Sequence, residues 1–251
     1  MTTRFESRVA AVRNSFDIFD GQWCSDVPLY GGGPSQLFFD TRIKQFDEYI
    51  GGFAGKKILE LGPLEAGHTY AMNLLGANDI ISIEANIDAF LRCLVVKEAF
   101  DIKAKFICGD FEKYMRHAPP KVDVVLASGV LYHMKEPLEL IDAICSTATQ
   151  CCFWTHYYDK DLVSRNAQLS SKISEPEVVS FKGRDIVVAK QSYLGDLDRL
   201  DFAGGLENYS YWVSLEGLRE TFEALGFEFV VIEKQENHPH GPGITFVAKR
   251  K

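Results

Sequence analysis

No apolar run in the 251 residues approaches the roughly 18 that a membrane-spanning helix needs, and Met1 to Glu6 opens without an apolar signal core. Both absences set a cytoplasmic location, with no membrane partner, as the expectation. Clustered positive charge is missing too: 27 Lys and Arg stand against 35 Asp and Glu, the net charge is -8, and no basic run occurs. A protein that grips a phosphate backbone concentrates Lys and Arg on one surface, so nucleic acid is not the expected partner. The six cysteines, Cys24, Cys93, Cys108, Cys145, Cys151 and Cys152, show neither a zinc-ligand spacing nor a CxxC. Most lie in apolar stretches, where Cys behaves as a small hydrophobe, so buried free thiols are expected. Internal repeats, low-complexity tracts and a recognisable metal-ligand set are likewise absent.

What is present is apolar material, 46% of the chain, enough for one sizeable α/β domain with elaborations. In the first 54 residues, Phe5, Val9, Val12, Phe16 and Phe19 recur at helical spacing and predict an amphipathic helix ending at Asp20-Gly21. Trp23 to Pro34, with Gly31-Gly32-Gly33-Pro34, reads as a mobile loop, and Gln36 to Tyr49 resumes a helical pattern. Residues 1–54 thus read as a helical cap on a catalytic-type domain spanning 55–251. Within that domain short apolar runs alternate with helical patterns, which argues for a doubly wound, Rossmann-like parallel sheet of about seven strands. Strands are expected at 57–61, 80–84, 104–108, 122–127 and 151–156, with helices near 67–76, 87–99, 111–116 and 137–147. A helix near 215–225 then precedes strands at 227–233 and 244–248, whose short turn-rich connection requires antiparallel pairing. Between 159 and 209 the alternation breaks, and this insertion after the fifth strand is expected to lie as a lid over the carboxyl ends of the strands.

The most informative segment runs from Lys56 to Asn86. A strand ends in Glu60-Leu61-Gly62, a turn follows through Leu64 to Gly67, and a second strand ends in Glu84-Ala85. A sharp bend at a strand's end and a carboxylate at the tip of the next strand are what a nucleotide-type cofactor asks for, the carboxylate accepting from two ribose hydroxyls. A nucleoside triphosphate fits the GxxxxGK[ST] spacing except that His68 replaces the lysine that faces the phosphates. A nicotinamide or flavin dinucleotide needs a middle glycine where Leu64 stands. S-adenosylmethionine has no phosphate, so the turn need not open as wide.

Here the sequence resembles the class I S-adenosylmethionine-dependent methyltransferases, from about Gly55 to Lys249. Glu60-Leu61-Gly62 with Gly67 is similar to their first motif, Glu84 to their ribose-binding acid, and Gly109-Asp110-Phe111 to the motif that holds the adenine. Asp123 to Ser128 resembles the fourth strand, whose end faces the methyl donor. The resemblance implies the closing antiparallel strand as well, and it departs at Leu64 and Ala66, which stand where a further glycine is usual. Ser128-Gly129-Val130-Leu131-Tyr132-His133 is similar to a segment of the tRNA wobble-uridine carboxymethyltransferase family and of related small-molecule methyltransferases. In those tRNA enzymes the matching tyrosine helps bind a carboxylated cofactor; its counterpart here is Tyr132. The cofactor contacts implied are Glu60, Gly62, Leu64, Gly67, Glu84, Ala85, Asp110, Phe111, Ser128 and Tyr132.

For the chemistry, His133 after the fourth strand and His156 at the end of the fifth are the two candidate general bases, since imidazole suits deprotonating a hydroxyl. His133 also reads as a residue that orients its loop, and His238 and His240 read as surface residues. Trp154, Tyr157, Tyr158, Tyr193, Tyr209, Tyr211 and Trp212 bracket the insertion; Trp154, Tyr157 and Tyr211 are the candidate substrate contacts, because aromatic faces wall organic acceptors and stack on sugars. The expectation is O-methylation of a small hydroxylated metabolite or sugar, without a metal. An RNA-modifying transferase, a non-catalytic cofactor-binding protein and a dehydrogenase are the alternatives.

Overall fold

The computed structural model describes residues 5–117, 121–193 and 207–251. The chain begins with α1 (Val12–Asp17), a hairpin of β1 (Asp26–Val27) and β2 (Gly31–Gly32), a single 3-10 turn (Leu37–Phe39) and α2 (Thr41–Ile50). The α/β alternation follows: β3 (Lys57–Leu61), α3 (Gly67–Leu74), β4 (Asp79–Glu84), α4 (Ile87–Phe100), β5 (Ala104–Cys108), α5 (Phe111–Arg116), β6 (Val124–Ser128), α6 (Pro137–Thr147) and β7 (Gln150–His156). Two short helices, α7 (Lys160–Ser164) and α8 (Ala167–Ser170), lead into β8 (Glu177–Phe181), β9 (Arg184–Ser192) and β10 (Tyr209–Val213). The chain closes with α9 (Leu215–Ala224), β11 (Phe227–Gln235) and β12 (Gly243–Arg250).

Seven strands form one sheet in the order β11-β12-β7-β6-β3-β4-β5. All neighbours from β7 to β5 pair parallel, whereas β12 runs antiparallel to both β7 and β11, with Gly243 opposite His156 on one side and Gln235 on the other. The order turns back between β3 and β6, the switch point where ligands bind in doubly wound sheets. Central strands buried on both faces read as continuous apolar runs, and every residue of β6 is buried. One face packs Leu59, Leu61, Val125 and Phe153 against Ile141, Leu218 and Phe222. The other packs Ile58, Ile80, Val124 and Leu126 against Ile43, Phe46 and Ile50 of α2, so α2 belongs to the core of the sheet.

Two expectations for the first 54 residues change. The helix predicted from about residue 4 shrinks to α1, and Phe5 and Val9 are 84% and 90% exposed, because the segment meets no apolar surface that would reward the helical register. Only Phe16 is buried there, stacked on Tyr30 and bonded through its carbonyl to Trp23 Nε1. The expected loop at 23–34 instead closes as the β1–β2 hairpin, whose Gly33 approaches the Cys24 carbonyl so closely that a Cβ has no room. Cys24, Cys93, Cys145, Cys151 and Cys152 are buried thiols, and Cys108 is an exposed one.

The insertion forms its own antiparallel sheet, β10-β9-β8. That sheet runs on to Val213, past the expected end at 209; residues 194–206 of the insertion lie outside the described residues. β10 docks beside the turn that follows β6, Tyr211 N donating to the Met134 carbonyl at 2.9 Å. Among the described residues no helix is long and apolar enough to cross a membrane.

Candidate functional site

Parallel register sets the first part of the site. Glu60 lies opposite Ser82, and its Oε2 accepts from Ser82 Oγ at 2.6 Å and from Thr69 Oγ1 at 2.5 Å. Its Oε1 is buried and without a hydrogen-bond partner. Burial pushes the Glu60 carboxyl above its ordinary range, against those two hydroxyls. Glu84, at the tip of the next strand, accepts from the backbone N–H groups of Leu64 at 2.9 Å and Asn86 at 2.8 Å, and burial pushes its carboxyl up as well. It thereby ties the turn after β3 to the end of β4, with Ala85 half-buried beside it.

The turn keeps left-handed backbone where the resemblance led one to expect glycines. Gly62 has φ +64°, Leu64 +54° and Ala66 +61°. For a residue with a Cβ this conformation costs about 1–2 kcal/mol, which the surrounding structure must offset. Glu65, fully buried between the two strained residues, does so: its carboxylate accepts from Cys24 N at 2.9 Å and Ser25 N at 2.8 Å and lies 2.9 Å from Arg92 Nε of α4. Gly67 has a different task from the one its motif implies, since a Cβ there would stand 2.8 Å from Leu37 Cβ and 2.9 Å from the Leu37 backbone carbon. It is glycine so that the 3-10 turn can pack on α3. Next to it, His68 Nε2 meets Asp40 Oδ2 at 2.8 Å, and Asp40 also holds Arg42. Burial raises the Asp40 carboxyl, but the His68 and Arg42 contacts outweigh it and hold the group well below the usual carboxylate range. A small cleft of about 310 Å³ opens along Gln36 to Arg42 at this junction.

Asp110 caps α5, accepting from Lys113 N at 3.1 Å, with Lys113 Nζ also 3.1 Å away. Burial raises its carboxyl, but the bonds from the Lys113 N–H and side chain, the Lys113 charge and the Glu112 N–H together outweigh that and leave it lowered. Phe111 packs half-buried against the main core. Ser128 ends β6 with its Oγ buried and unpartnered, and Gly129 turns the chain at φ +85° with its N–H on the Trp154 carbonyl.

Beyond that turn the two candidate bases come together around Tyr132, whose ring lies 4.1 Å from that of His133 and 4.6 Å from that of His156. Burial pushes the Tyr132 phenol far up and both imidazoles down to about 3, so both rings are neutral at pH 7. His133 Nδ1 pairs with the Tyr193 hydroxyl at 2.7 Å. His156 Nδ1 lies 3.2 Å from the Pro242 carbonyl. A carbonyl can only accept, so Nδ1 of His156 carries the proton and Nε2 keeps a free lone pair. His156 stacks on Trp212 at 4.9 Å and 10°, meets Trp154 at 5.0 Å and His238 at 5.1 Å, and the Arg42 guanidinium lies 4.5 Å over Trp154.

Of the three aromatic candidates only Trp154 joins this cluster. Tyr157 is 2% exposed in the main core, with burial pushing its phenol up to about 12, and Tyr211 is half-buried against the same core. Strand alternation explains both: Tyr157 follows His156 and Tyr211 precedes Trp212, so each faces away from the cluster. Trp212 and His238 take their places, the latter half-buried rather than on the surface, because β12 pairs with β7 and carries the 236–242 turn over the end of β7. The signal for Trp212 was its place in the aromatic set; Asp40, Glu65 and Arg92 gave none. Among the described residues no group of His, Cys, Asp and Glu is arranged to hold a metal.

No protein-family model and no curated protein matches this chain. Solved structures do. The N-terminal domain of EvdMO1, crystallised in the presence of SAH and D-fucose, superposes with a TM-score of 0.68 at 20% identity over 95% of this chain and 94% of that one. Magnesium protoporphyrin IX methyltransferase (ChlM) from Synechocystis PCC 6803 with bound SAH gives 0.57 at 14% identity, covering 94% and 97%. An O-methyltransferase family protein from Burkholderia thailandensis gives 0.54 at 12% identity, covering 83% and 55%. The sheet order, the antiparallel β12 and these superpositions together establish that the chain has the Rossmann-like methyltransferase fold.

Proposed function

We propose that the chain is an S-adenosylmethionine-dependent methyltransferase that methylates a hydroxyl of a small metabolite or sugar, with His133 or His156 receiving the proton. The observation that carries this reading is the pairing of a buried, unpartnered Glu60 Oε1 with Glu84 one strand over, at the switch point of the sheet and beside a turn that keeps its left-handed backbone. An orphaned buried carboxylate oxygen fits the ammonium of the methionine part. Glu84 would accept from the ribose hydroxyls, Gly62 and Leu64 would pass under the cofactor with Gly67 and Ala85 behind, and Asp110 with Phe111 would hold the adenine. Ser128 and Tyr132 would border the sulfonium, which supplies an electrophilic methyl group.

The chain's own residues do the rest. Residues 5–40, ahead of α2, act as a cap and the described part of the insertion, α7 to β10, as a lid, which exclude water over the strand ends. A neutral imidazole takes the hydroxyl proton; His156 offers a free Nε2, fixed in direction by its Nδ1–H bond to Pro242. The competing cofactors are less well served. A triphosphate would need a cation at position 68, where His68 is engaged by Asp40, and a dinucleotide would need the space that Leu64 fills. The crystallisation of the EvdMO1 domain with D-fucose makes sugars the first acceptors to try.

Calorimetry with S-adenosylhomocysteine, with NADH and ATP as controls, tests the cofactor. Micromolar binding of the first alone is expected; its absence from a folded protein would hand the lead to the non-catalytic reading. Once an acceptor is known, His133→Ala or His156→Ala should lower turnover by at least about 100-fold, and a loss under tenfold in both would remove the general base from the mechanism.

A further inference from the structure

The wall around His156 contains a donor that no group of the protein uses. Trp212 is 3% exposed, and its Nε1–H has no hydrogen-bond partner, although an indole buried in a core normally finds one. The outer ring of the indole packs close to Gly241, but the N–H takes no part in that packing and carries the desolvation cost of an unpaired donor. The donor lies in company. Trp212 stacks on His156, whose Nε2 is a free acceptor, and His156 meets Trp154, which stands opposite Ser128 across β6 and β7. Ser128 Oγ is another buried, unpartnered polar atom at this end of the sheet. Apolar ring surface therefore alternates with a lone donor, a lone acceptor and a hydroxyl. A hydrocarbon alcohol would leave the indole N–H unpaired, and a phenol or catechol, with its oxygens on one edge, would reach only part of the set. A ring with oxygens on several carbons and C–H faces between them meets the whole of it.

Resting on the methyl-transfer reading, we propose that Trp212, His156 and Trp154 form the acceptor subsite, that the acceptor is a sugar ring, and that Trp212 selects it by donating Nε1–H to one of its oxygens. Trp212 is then a specificity-determining residue contributed by the insertion's sheet. The neighbours of His156, Pro242 and His238, come from the turn between the last two strands, so elements outside the parallel part of the sheet complete an acceptor end that β7 begins.

The test is titration of hexoses, 6-deoxyhexoses and nucleoside diphosphate hexoses, with catechol and phenol for comparison, into the full chain with and without S-adenosylhomocysteine. Heat and the ¹⁵N-indole resonances are followed. Expected are binding of at least one sugar, a shift of the Trp212 Nε1–H resonance on binding, and a loss of about tenfold or more in sugar affinity in Trp212→Phe, with unchanged S-adenosylhomocysteine affinity as the sign that the variant is folded. Binding of the phenols and of no sugar, or a Trp212→Phe variant that holds the sugar as the parent does, overturns the proposal. Lack of S-adenosylhomocysteine binding overturns the methyl-transfer reading instead, and sugar binding without it would leave the subsite standing.

Discussion

Replacing Glu65 by alanine removes the counter-charge of a buried arginine. The Glu65 side chain is 0% exposed and that of Arg92 3%, with Oε1 and Nε 2.9 Å apart, while Arg92 Nε and Nη1 have no hydrogen-bond partner. Breaking a buried pair by removing one partner costs about 3–5 kcal/mol, because the other charge is left uncompensated. The N–H groups of Cys24 and Ser25 lose their acceptor at the same time, adding about 1–3 kcal/mol if they stay buried. Against a total stability of about 5–15 kcal/mol, Glu65→Ala is expected to lower the melting temperature by about 8–32 °C, at about 2–4 °C per kcal/mol for a chain of this size. Adding Arg92→Leu removes the stranded charge but not the two unpaired N–H groups, so the double variant should recover about half of the loss. Thermal and urea melts of the parent, both single variants and the double variant measure the coupling directly. A Glu65→Ala protein that melts within about 2 °C of the parent, or a double variant less stable than Glu65→Ala, would refute the argument that this pair anchors the strained turn to the N-terminal hairpin.

Three other outcomes follow from the same geometry. Glu84→Gln places an N–H group against a backbone N–H of Leu64 or Asn86, so it should cost about 1–3 kcal/mol and weaken S-adenosylhomocysteine binding by about tenfold or more; unchanged calorimetric affinity would remove Glu84 from the site. Gly67→Ala forces a Cβ onto Leu37 and should cost about 1–3 kcal/mol in a urea melt, with no loss expected only if the 3-10 turn can shift. His133 and His156 stand at about 3 in the fold against 6.5 for a free imidazole, so below pH 6.5 the unfolded chain takes up protons that the native state refuses. Stability should therefore fall as pH drops from 6.5 toward 3, by up to about 1.4 kcal/mol per pH unit for each ring; His156→Phe should reduce that slope, and a urea midpoint equal at pH 7.5 and 5 would contradict it.

The parallel half of the protein was legible because its signals are local. Strands at Lys57–Leu61 and Ala104–Cys108 and helices at Phe111–Arg116 and Pro137–Thr147 begin and end where the expectation put them, since apolar runs, caps and a proline at the first helical turn act within a few residues. Glu60, Glu84 and Asp110 were found for the same reason, each marking a strand end. The helix expected over 4–20 failed because a helical period stabilises nothing without an apolar surface to meet, and the sequence does not say that none is there.

What the sequence determined by itself, then, was the α/β alternation, the acidic strand tips, the antiparallel close and the glycine-poor turn, all products of short-range periodicity and residue type. Tertiary structure alone decided that Glu65 reaches 40 residues back to Ser25 and forward to Arg92, that Asp40 takes up His68, and that Trp212 and His238 rather than Tyr157 and Tyr211 surround His156. Those pairings depend on which strand lies beside which and on which side of the pleat each residue falls, and one step in register exchanges the two faces.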